Sequence, residues 1–339
     1  MLAPRISLPA LWYKDHHPLV YALTPFSWLF RAAVAMRRLA HGHGPGTVYH
    51  PEIPVVVVGN ITTGGTGKTP LVIWLAGFLK EHGFRPGIVL RGYGGKAAHW
   101  PQWVTGDSDP HRVGDEAVLL ARRTRCQVVA APDRVAAVRE LAARTDCNLI
   151  LSDDGLQHYA LGRDVEIAVI DGVLGVGNGR CLPAGPLREP VSRLAAVDLV
   201  VVNHGLGPGL GHDLPGRPEG TPAVGMGLIA GDPRPVAGEG AGRSIEAFRD
   251  RPAHAVCGIG RPERFFETLR RLGLDIKPHP FPDHYAFRPA DVTFGDGLPV
   301  LMTEKDAVKC RRLAGPHHWY LPVEARPDPV LGARLLTLL

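Results

Sequence analysis

Cysteine is scarce in this 339-residue chain, and the few cysteines that occur are widely separated. No two of them form a CxxC pair, so their spacing indicates neither a zinc site nor a disulfide framework. Scattered free thiols fit a reducing, cytosolic setting. The five residues are Cys126, Cys147, Cys181, Cys257 and Cys310.

A long apolar run is also missing. The stretch PLVYALTPFSWLF at 18–30 is uncharged for only thirteen residues, whereas a membrane-spanning helix needs about 20. It has no basic leader and no clear small-residue cleavage site, which argues against a secretory signal. Its aromatic residues and the arginines that follow predict a helix lying in a membrane interface. The alternative is an amphipathic helix packed on the protein's own core.

Neither sign of charge is in large excess. The net charge of +5 and the pI of about 9.0 fit anionic partners such as nucleotides, phospholipid head groups or nucleic acid. No stripe of lysine and arginine with interleaved aromatic residues is present, so we expect no nucleic-acid partner. No feature of the sequence indicates an oligomer. The 45% hydrophobic content is that of a globular protein able to bury a sizeable core.

The most informative motif is VVVVGNITTGGTGKT at 55–69. Four valines predict a buried strand, and a glycine-rich turn then leads into a helix, as in loops that bind the phosphates of a nucleoside triphosphate. Lys68 is suited to reach the β- and γ-phosphates, and the Thr69 hydroxyl to hold Mg²⁺. The general pattern GxxxxGK[ST] has glycine where this chain has Thr62, so the loop is a variant. The predicted nucleotide-binding residues are Thr62, Thr63, Gly64, Gly65, Thr66, Gly67, Lys68 and Thr69.

Apolar strand-like runs alternate with helical patterns through the first two-thirds of the chain. Runs without polar alternation are typical of parallel strands covered on both faces. We therefore predict an α/β fold with a P-loop NTPase-type, doubly wound, mostly parallel sheet, a second, smaller α/β domain and an N-terminal membrane-associating helix. The predicted ranges are 1–40 for the N-terminal helix region, 41–205 for the P-loop core, 206–243 for a Gly/Pro-rich connection or ribbon, and 244–339 for the smaller domain.

Charged clusters follow several predicted strands, at the edge of the sheet where ligands bind in such folds. Asp153-Asp154 ends an apolar strand and predicts a Mg²⁺ site. Asp115-Glu116 opens a helix, where the helix dipole favours acidic residues for structural reasons alone. The functional hypothesis is that they supply a base or a metal contact. Candidate contacts to phosphate or metal in neighbouring loops are Arg91, Arg134, Arg188 and Glu189.

The second domain contributes two further motifs, FPDHYAF at 281–287 and TEKD at 303–306. A lone histidine such as His284 is usually structural, so the first motif is weak by itself. The second differs from the guanine-reading NKxD motif because Lys305 and Asp306 are adjacent. That difference argues against a GTPase.

Taken together, the motifs resemble the tetraacyldisaccharide 4′-kinase family, the lipid A 4′-kinases of Gram-negative bacteria. The resemblance runs from about residue 12 to the C-terminus. It includes, in order, TTGGTGKTP, RGYGG, VGDEA, VAAPDRVAA, SDDGLQH, GNGRCLPAGPLREP, CGIGRPERFF, DHYAF and TEKDAVK. Departures from the family pattern at Leu90, Ala117 and Arg261 remove no proposed catalytic group.

The resemblance implies transfer of the ATP γ-phosphate to the 4′-hydroxyl of tetraacyldisaccharide 1-phosphate, giving lipid IVA, with Mg²⁺ required. It implies that Asp115 and His284 act as a catalytic pair. Arg91, Arg134 and Arg188 would stabilise phosphate charge, and the metal set would be Thr69, Glu116, Asp153, Asp154 and Glu189. The partners would be the lipid A disaccharide 1-phosphate precursor and inner-membrane lipids, at the cytoplasmic face of the inner membrane.

One alternative from another class is a membrane-associated P-loop ATPase that acts as a regulatory switch. Such proteins often carry a lysine early in the loop, as in KGGxGKT. Thr63 stands at that position here, which favours the kinase.

Overall fold

The computed structural model describes residues 11–13, 17–42, 48–207, 220–238 and 240–339. Helices and strands alternate along these residues, as the sequence predicts. The α-helices are α1 (Pro18–Gly42), α2 (Lys68–Glu81), α3 (Pro110–Val113), α4 (Asp115–Thr124), α5 (Arg134–Arg144), α6 (Pro262–Arg271), α7 (Pro289–Val292), α8 (Glu304–Cys310) and α9 (Val330–Leu338). Short 3₁₀ helices span Val191–Ala196 and Ile245–Phe248.

The strands of the described residues form two sheets, one of nine strands and one of five. They are β1 (Val55–Gly59), β2 (Pro86–Leu90), β3 (Gln102–Val104), β4 (Gln127–Ala130), β5 (Leu149–Asp153), β6 (Val165–Asp171), β7 (Leu199–Leu206), β8 (Ala223–Ala230), β9 (Arg234–Pro235), β10 (Ala253–Cys257), β11 (Ile276–Pro280), β12 (Val300–Thr303), β13 (His318–Leu321) and β14 (Val323–Pro327).

The larger sheet has the order β14-β8-β7-β6-β1-β5-β2-β4-β3. It is parallel except at its two edges, where β14 and β3 run antiparallel to their neighbours. The valines of β1 explain its central place. Val56 and Val58 face a core shared with α2 and α4, and Val55 and Val57 face a core shared with α5. A strand covered on both faces needs apolar residues at every position, so the doubly wound prediction is confirmed.

The smaller sheet has the order β11-β10-β12-β13-β9, with only β9 antiparallel. Its faces also bury apolar side chains on both sides, around Phe266 and around Met302. The smaller α/β unit predicted from the sequence is therefore present.

The boundaries between the two units differ from the predicted ranges. Within the predicted connection, β8 pairs with β7 in the larger sheet, whereas β9 joins the smaller sheet; residues 208–219 and 239 of that range lie outside the described residues. After the smaller unit the chain returns to the larger one, where β14 pairs with β8 and α9 packs on α2. At that contact a Cβ on Gly332 would lie 2.5 Å from the Phe78 ring, so the close approach requires glycine.

Helix α1 is longer than the uncharged run and continues through Pro25 for 25 residues. Among the described residues, its span Pro18–His41 is the one long and apolar enough to cross a membrane by length and composition. Its first half is nevertheless docked on the protein. Ser27 is buried and donates a hydrogen bond to the Cys181 carbonyl (2.7 Å), and Arg180 donates one to Thr24 (2.6 Å).

Candidate active site

The phosphate-binding loop follows β1 at the carboxyl edge of the larger sheet. Gly64 and Gly67 have φ of +101° and +90°, which side chains with a Cβ rarely adopt. At Gly67 a Cβ would also lie 2.2 Å from Asn203 Nδ2, and that amide donates a hydrogen bond to the Thr66 carbonyl (2.9 Å). The loop is thus held in a fixed curve from the end of β7.

The missing glycine at Thr62 is explained by the local backbone. Thr62 is buried, lies outside the positive-φ region and forms a β-bridge with Leu187. The Thr63 N–H donates to the Pro186 carbonyl (2.8 Å), and the Arg188 N–H donates to the Ile61 carbonyl (2.7 Å). A glycine is unnecessary where the chain is extended. The irregular segment 178–190 therefore braces the loop.

That bracing brings Arg188 to Asp154. Lys68 Nζ lies 3.3 Å from Asp154 Oδ1, and Arg188 Nη1 lies 3.1 Å from Asp154 Oδ2. Burial raises the pKa of Asp154, but Lys68 and Arg188 outweigh it and lower the pKa to about 2. A carboxylate thus holds the two cations beside the loop, where they would otherwise repel each other.

The neighbouring Asp153 is in the opposite electrostatic situation. Burial and then the carboxylate of Glu116 raise its pKa to about 7. Its Oδ1 atom is buried without a hydrogen-bond partner among the described residues. A buried carboxylate with an unpaired oxygen and a second carboxylate in its vicinity fits a cation, and Mg²⁺ typically takes one or two carboxylates together with substrate phosphates. No group of three or more His, Cys, Asp or Glu side chains among the described residues forms a complete metal cage by itself.

Among the described residues, no hydrogen bond or ion pair joins Glu189 to Asp153, Asp154 or Glu116. Its side chain is 1% exposed, and its oxygens accept hydrogen bonds from Tyr159 and from Gln157 (2.9 Å). Arg193 Nε lies 3.6 Å away. These partners are typical of a structural buried carboxylate, so its predicted metal role has less support than that of Asp153, Asp154 or Glu116.

The two remaining arginines differ in exposure. Arg134 is 2% exposed and donates hydrogen bonds to the carbonyls of Ala131 (2.7 Å) and Asp153 (3.3 Å). Burial lowers its pKa to about 10, with Arg91 contributing in the same direction. Arg134 therefore anchors the end of β5, whereas Arg91 is exposed in the loop after β2.

The predicted pair Asp115 and His284 meets across the two units. His284 Nδ1 lies 3.1 Å from Asp115 Oδ2. The hydrogen bond to Asp115 raises the pKa of His284 above its ordinary 6.5, against the effects of burial and Lys305. Burial raises the pKa of Asp115, but His284, Lys305 and Lys309 together hold it below its ordinary 3.8. An ionised aspartate paired with a histidine is an arrangement that can accept a proton from a hydroxyl.

His284 has a backbone conformation that is rare for a residue with a Cβ, with φ of +56°. Such a conformation costs on the order of 1 kcal/mol, and in folded proteins it tends to occur at functional sites. Tyr93 of the RGYGG loop packs against the imidazole, with ring centroids 4.8 Å apart. The two units thus share one site.

Replacing Asp115 by asparagine is expected to lower the pKa of His284, because the neutral amide no longer favours the imidazolium. The pair should stabilise the folded protein fully between pH 3.8 and 6.5. Its contribution is lost as the pH rises through the raised His284 pKa, or falls through the lowered Asp115 pKa. NMR titration of ¹⁵N-histidine-labelled protein measures the pKa of His284 in the wild type and in Asp115→Asn, and His284→Gln assigns the resonance. An unchanged titration would mean that the two residues are not coupled.

Three elements of the site were not predicted. Lys305 contacts Glu116 and Asp283, Asn203 braces the loop, and Asp171 binds two arginines of the smaller unit. A cavity of about 380 Å³ opens beside the loop; its lining includes Asp171, His204, Leu206, Arg261 and Arg264. The TEKD motif at the end of β12 was the available signal for Lys305.

Comparison with known proteins agrees with the motifs. A family model described as tetraacyldisaccharide-1-P 4′-kinase matches residues 19–339. The chain is 54% identical over 328 residues to the tetraacyldisaccharide 4′-kinase of Nitrosococcus oceani, covering 97% of this chain and 93% of that protein. It is 50% identical over 329 residues to the enzyme of the same name from Alkalilimnicola ehrlichii, covering 97% and 95%.

A solved structure supports the same assignment. LpxK from Aquifex aeolicus, crystallised in complex with ATP, is similar with a TM-score of 0.78 and 26% identity, over 94% of this chain and 99% of that chain. The chain belongs to the tetraacyldisaccharide-1-P 4′-kinase family.

Proposed function

We propose that this protein transfers the γ-phosphate of ATP to the 4′-hydroxyl of tetraacyldisaccharide 1-phosphate, forming lipid IVA. The observation that carries the proposal is the Asp115–His284 pair. Its neighbour Glu116 and Lys68 of the phosphate-binding loop both lie close enough to Asp153 to shift its pKa. A kinase needs a donor site and a proton acceptor for the attacking hydroxyl next to each other. A switch ATPase needs no pair of this kind.

Each part of the site has a role in that reaction. Lys68, Thr69 and the backbone N–H groups of the loop bind the triphosphate, and the nucleoside occupies the cavity beside Asp171. Arg188 and the exposed Arg91 offset charge on the transferring phosphoryl group, and Arg134 holds the end of β5 that carries Asp153. Asp115 accepts the proton of the 4′-hydroxyl, and its hydrogen bond with His284 orients the carboxylate.

Mg²⁺ fits the carboxylates near the loop. Thr69, Asp153 and Asp154 would hold it, with Glu116 nearby, and Glu189 is a weaker candidate. When bound, the ion would neutralise negative charge on the β- and γ-phosphates. The unpaired oxygen of Asp153 and its raised pKa support this set.

In this proposal the protein acts at the cytoplasmic face of the inner membrane and contacts it through helix α1. The acyl chains of the substrate stay in the bilayer while the sugar meets ATP from the aqueous side. One side of α1 is docked on the protein and the other exposes apolar residues, which supports a helix lying in the interface. Exposed fractions are 58% for Phe26, 67% for Trp28 and 68% for Leu29.

Changing Phe26, Trp28 and Leu29 together to serine is expected to abolish flotation with vesicles of phosphatidylethanolamine and phosphatidylglycerol. These side chains are exposed, so the melting temperature should stay close to wild type. The matched control is Val330→Ser with Leu338→Ser, two exposed apolar residues on α9, which should float normally. Normal flotation of the triple variant would show that another part of the protein contacts the membrane.

The dependence of ATP turnover on the acceptor tests the proposed function. A kinase releases ADP at a rate set by the tetraacyl disaccharide, whereas a switch ATPase turns over ATP without it. ADP release that is unaffected by the acceptor would contradict the proposal.

A further inference from the structure

Helix α8 of the smaller unit presents three charged side chains to helix α4 of the larger one. Glu304 accepts hydrogen bonds from Arg123 (2.7 and 2.9 Å), Lys305 reaches Glu116 (3.2 Å), and Lys309 lies 4.0 Å from Asp115. Each contact joins opposite charges: α8 supplies one acid and two bases, and α4 supplies one base and two acids. The site formed at Asp115 therefore depends on how α8 docks.

Lys305 is the central contact of this set. Its Nζ atom lies between Glu116 Oε1 (3.2 Å) and Asp283 Oδ1 (3.4 Å), and its side chain is 18% exposed. Burial lowers the pKa of Lys305, but Glu116, Asp115 and Asp283 outweigh it and hold it above its ordinary range. The ammonium is charged and linked to both units.

Asp283 links Lys305 to His284. Its Oδ1 atom accepts the backbone N–H of His284 (3.0 Å) as well as the Lys305 ammonium. The same backbone has the positive φ noted above, a conformation that persists only where its surroundings hold it. Lys305 thus holds the carboxylate that holds the histidine.

We propose that Lys305 is a positioning residue: its ammonium fixes Asp283 and Glu116, so that His284 keeps the Asp115 carboxylate aimed at the acceptor hydroxyl. This inference rests on the proposed kinase function. It assigns a role to TEKD, a motif that the donor site and the proton acceptor leave unused. Lys305 itself contacts neither substrate in this account.

Lys305→Met tests the proposal. A misplacement of about 1 Å at a reacting group can cost roughly 100-fold, so kcat should fall by about that factor. The KM for ATP should be unchanged, because the donor loop is not altered. Lys305→Arg retains the charge and should recover most of kcat. The matched control is Lys277→Met, an exposed lysine of the same unit paired with Asp296, which should behave as wild type.

A double variant separates positioning from general destabilisation. Asp283→Asn should lower kcat in the same way, and Lys305→Met combined with Asp283→Asn should be no worse than the more damaging single change, because both break one chain of contacts. If Lys305→Met fails to fold by its melting curve, Asp283→Asn and Lys305→Arg decide. Wild-type kcat in Asp283→Asn, or no recovery in Lys305→Arg, would then overturn the proposal.

The remaining outcomes are equally decisive. Wild-type kcat in folded Lys305→Met, an effect confined to the KM for ATP, or losses that multiply in the double variant would each overturn the positioning role. Wild-type protein that phosphorylates no acceptor would instead overturn the proposed function. The two failures are therefore distinguishable in the same assay.

Discussion

Asp115→Asn is expected to lower kcat by about 100- to 10,000-fold, the range that a positioned general base contributes. The amide cannot accept the proton of the acceptor hydroxyl, although it retains the size of the side chain. ATP affinity should stay at the wild-type value, because Asp115 makes no hydrogen bond or ion pair with the phosphate-binding loop in the described structure. Kinetics at saturating ATP, together with calorimetric titration of ATP, measure both quantities.

Two controls show whether the loss of activity comes from the missing base or from misfolding. Asp146→Asn, at an exposed aspartate paired with Arg85, is the matched control and should retain full activity. The melting temperature of Asp115→Asn should show a folded protein, since His284 and the neighbouring lysines remain in place. A folded Asp115→Asn variant with wild-type kcat would exclude Asp115 as the base.

Lys68→Met is expected to lower kcat/KM by about 100- to 1,000-fold, as the loss of one charge-stabilising donor does in other enzymes. Unlike Asp115→Asn, it should also weaken ATP binding, because Lys68 is the cation of the loop. The change leaves Asp154 with Arg188 as its remaining close cation. The pKa of Asp154 should therefore rise from its value of about 2.

The control for Lys68 lies on the same helix. Lys80, in the last turn of α2, is about 18 Å away at 1.5 Å per residue, and Lys80→Met should retain wild-type ATP affinity. If Lys68→Met bound ATP as tightly as wild type and kept its kcat/KM, the nucleotide would have to bind elsewhere. A result of that kind would contradict the assignment of the loop.

The parts of the fold that local pattern determines could be predicted from the sequence. The helix that Asp115-Glu116 opens is present as Asp115–Thr124, because an acidic first turn and an apolar stripe mark it in the sequence. The valine run of β1 and the glycines that follow it likewise depend on local chemistry. Residues 62–69 and Asp153-Asp154 could be located for the same reason.

Pairing between distant segments could not be predicted in this way. The return of β14 to the larger sheet depends on a hydrogen-bonded neighbour, β8, that is about 100 residues earlier in the chain, and hydrophobic periodicity carries no information on that choice. The burial of Glu189 among Tyr159, Gln157 and Arg193 is also a tertiary property. Lys305 was visible as part of a motif, but its partners lie on another unit.

Transfer of label from [γ-³²P]ATP to the acceptor decides whether the protein is a lipid kinase. Wild-type protein, Mg²⁺ and tetraacyldisaccharide 1-phosphate in detergent micelles should give a labelled bis-phosphorylated lipid, and an acceptor analogue lacking the 4′-hydroxyl should receive no label. Label appearing only as inorganic phosphate, with the lipid unchanged while ATP is consumed, would show an ATPase instead of a lipid kinase.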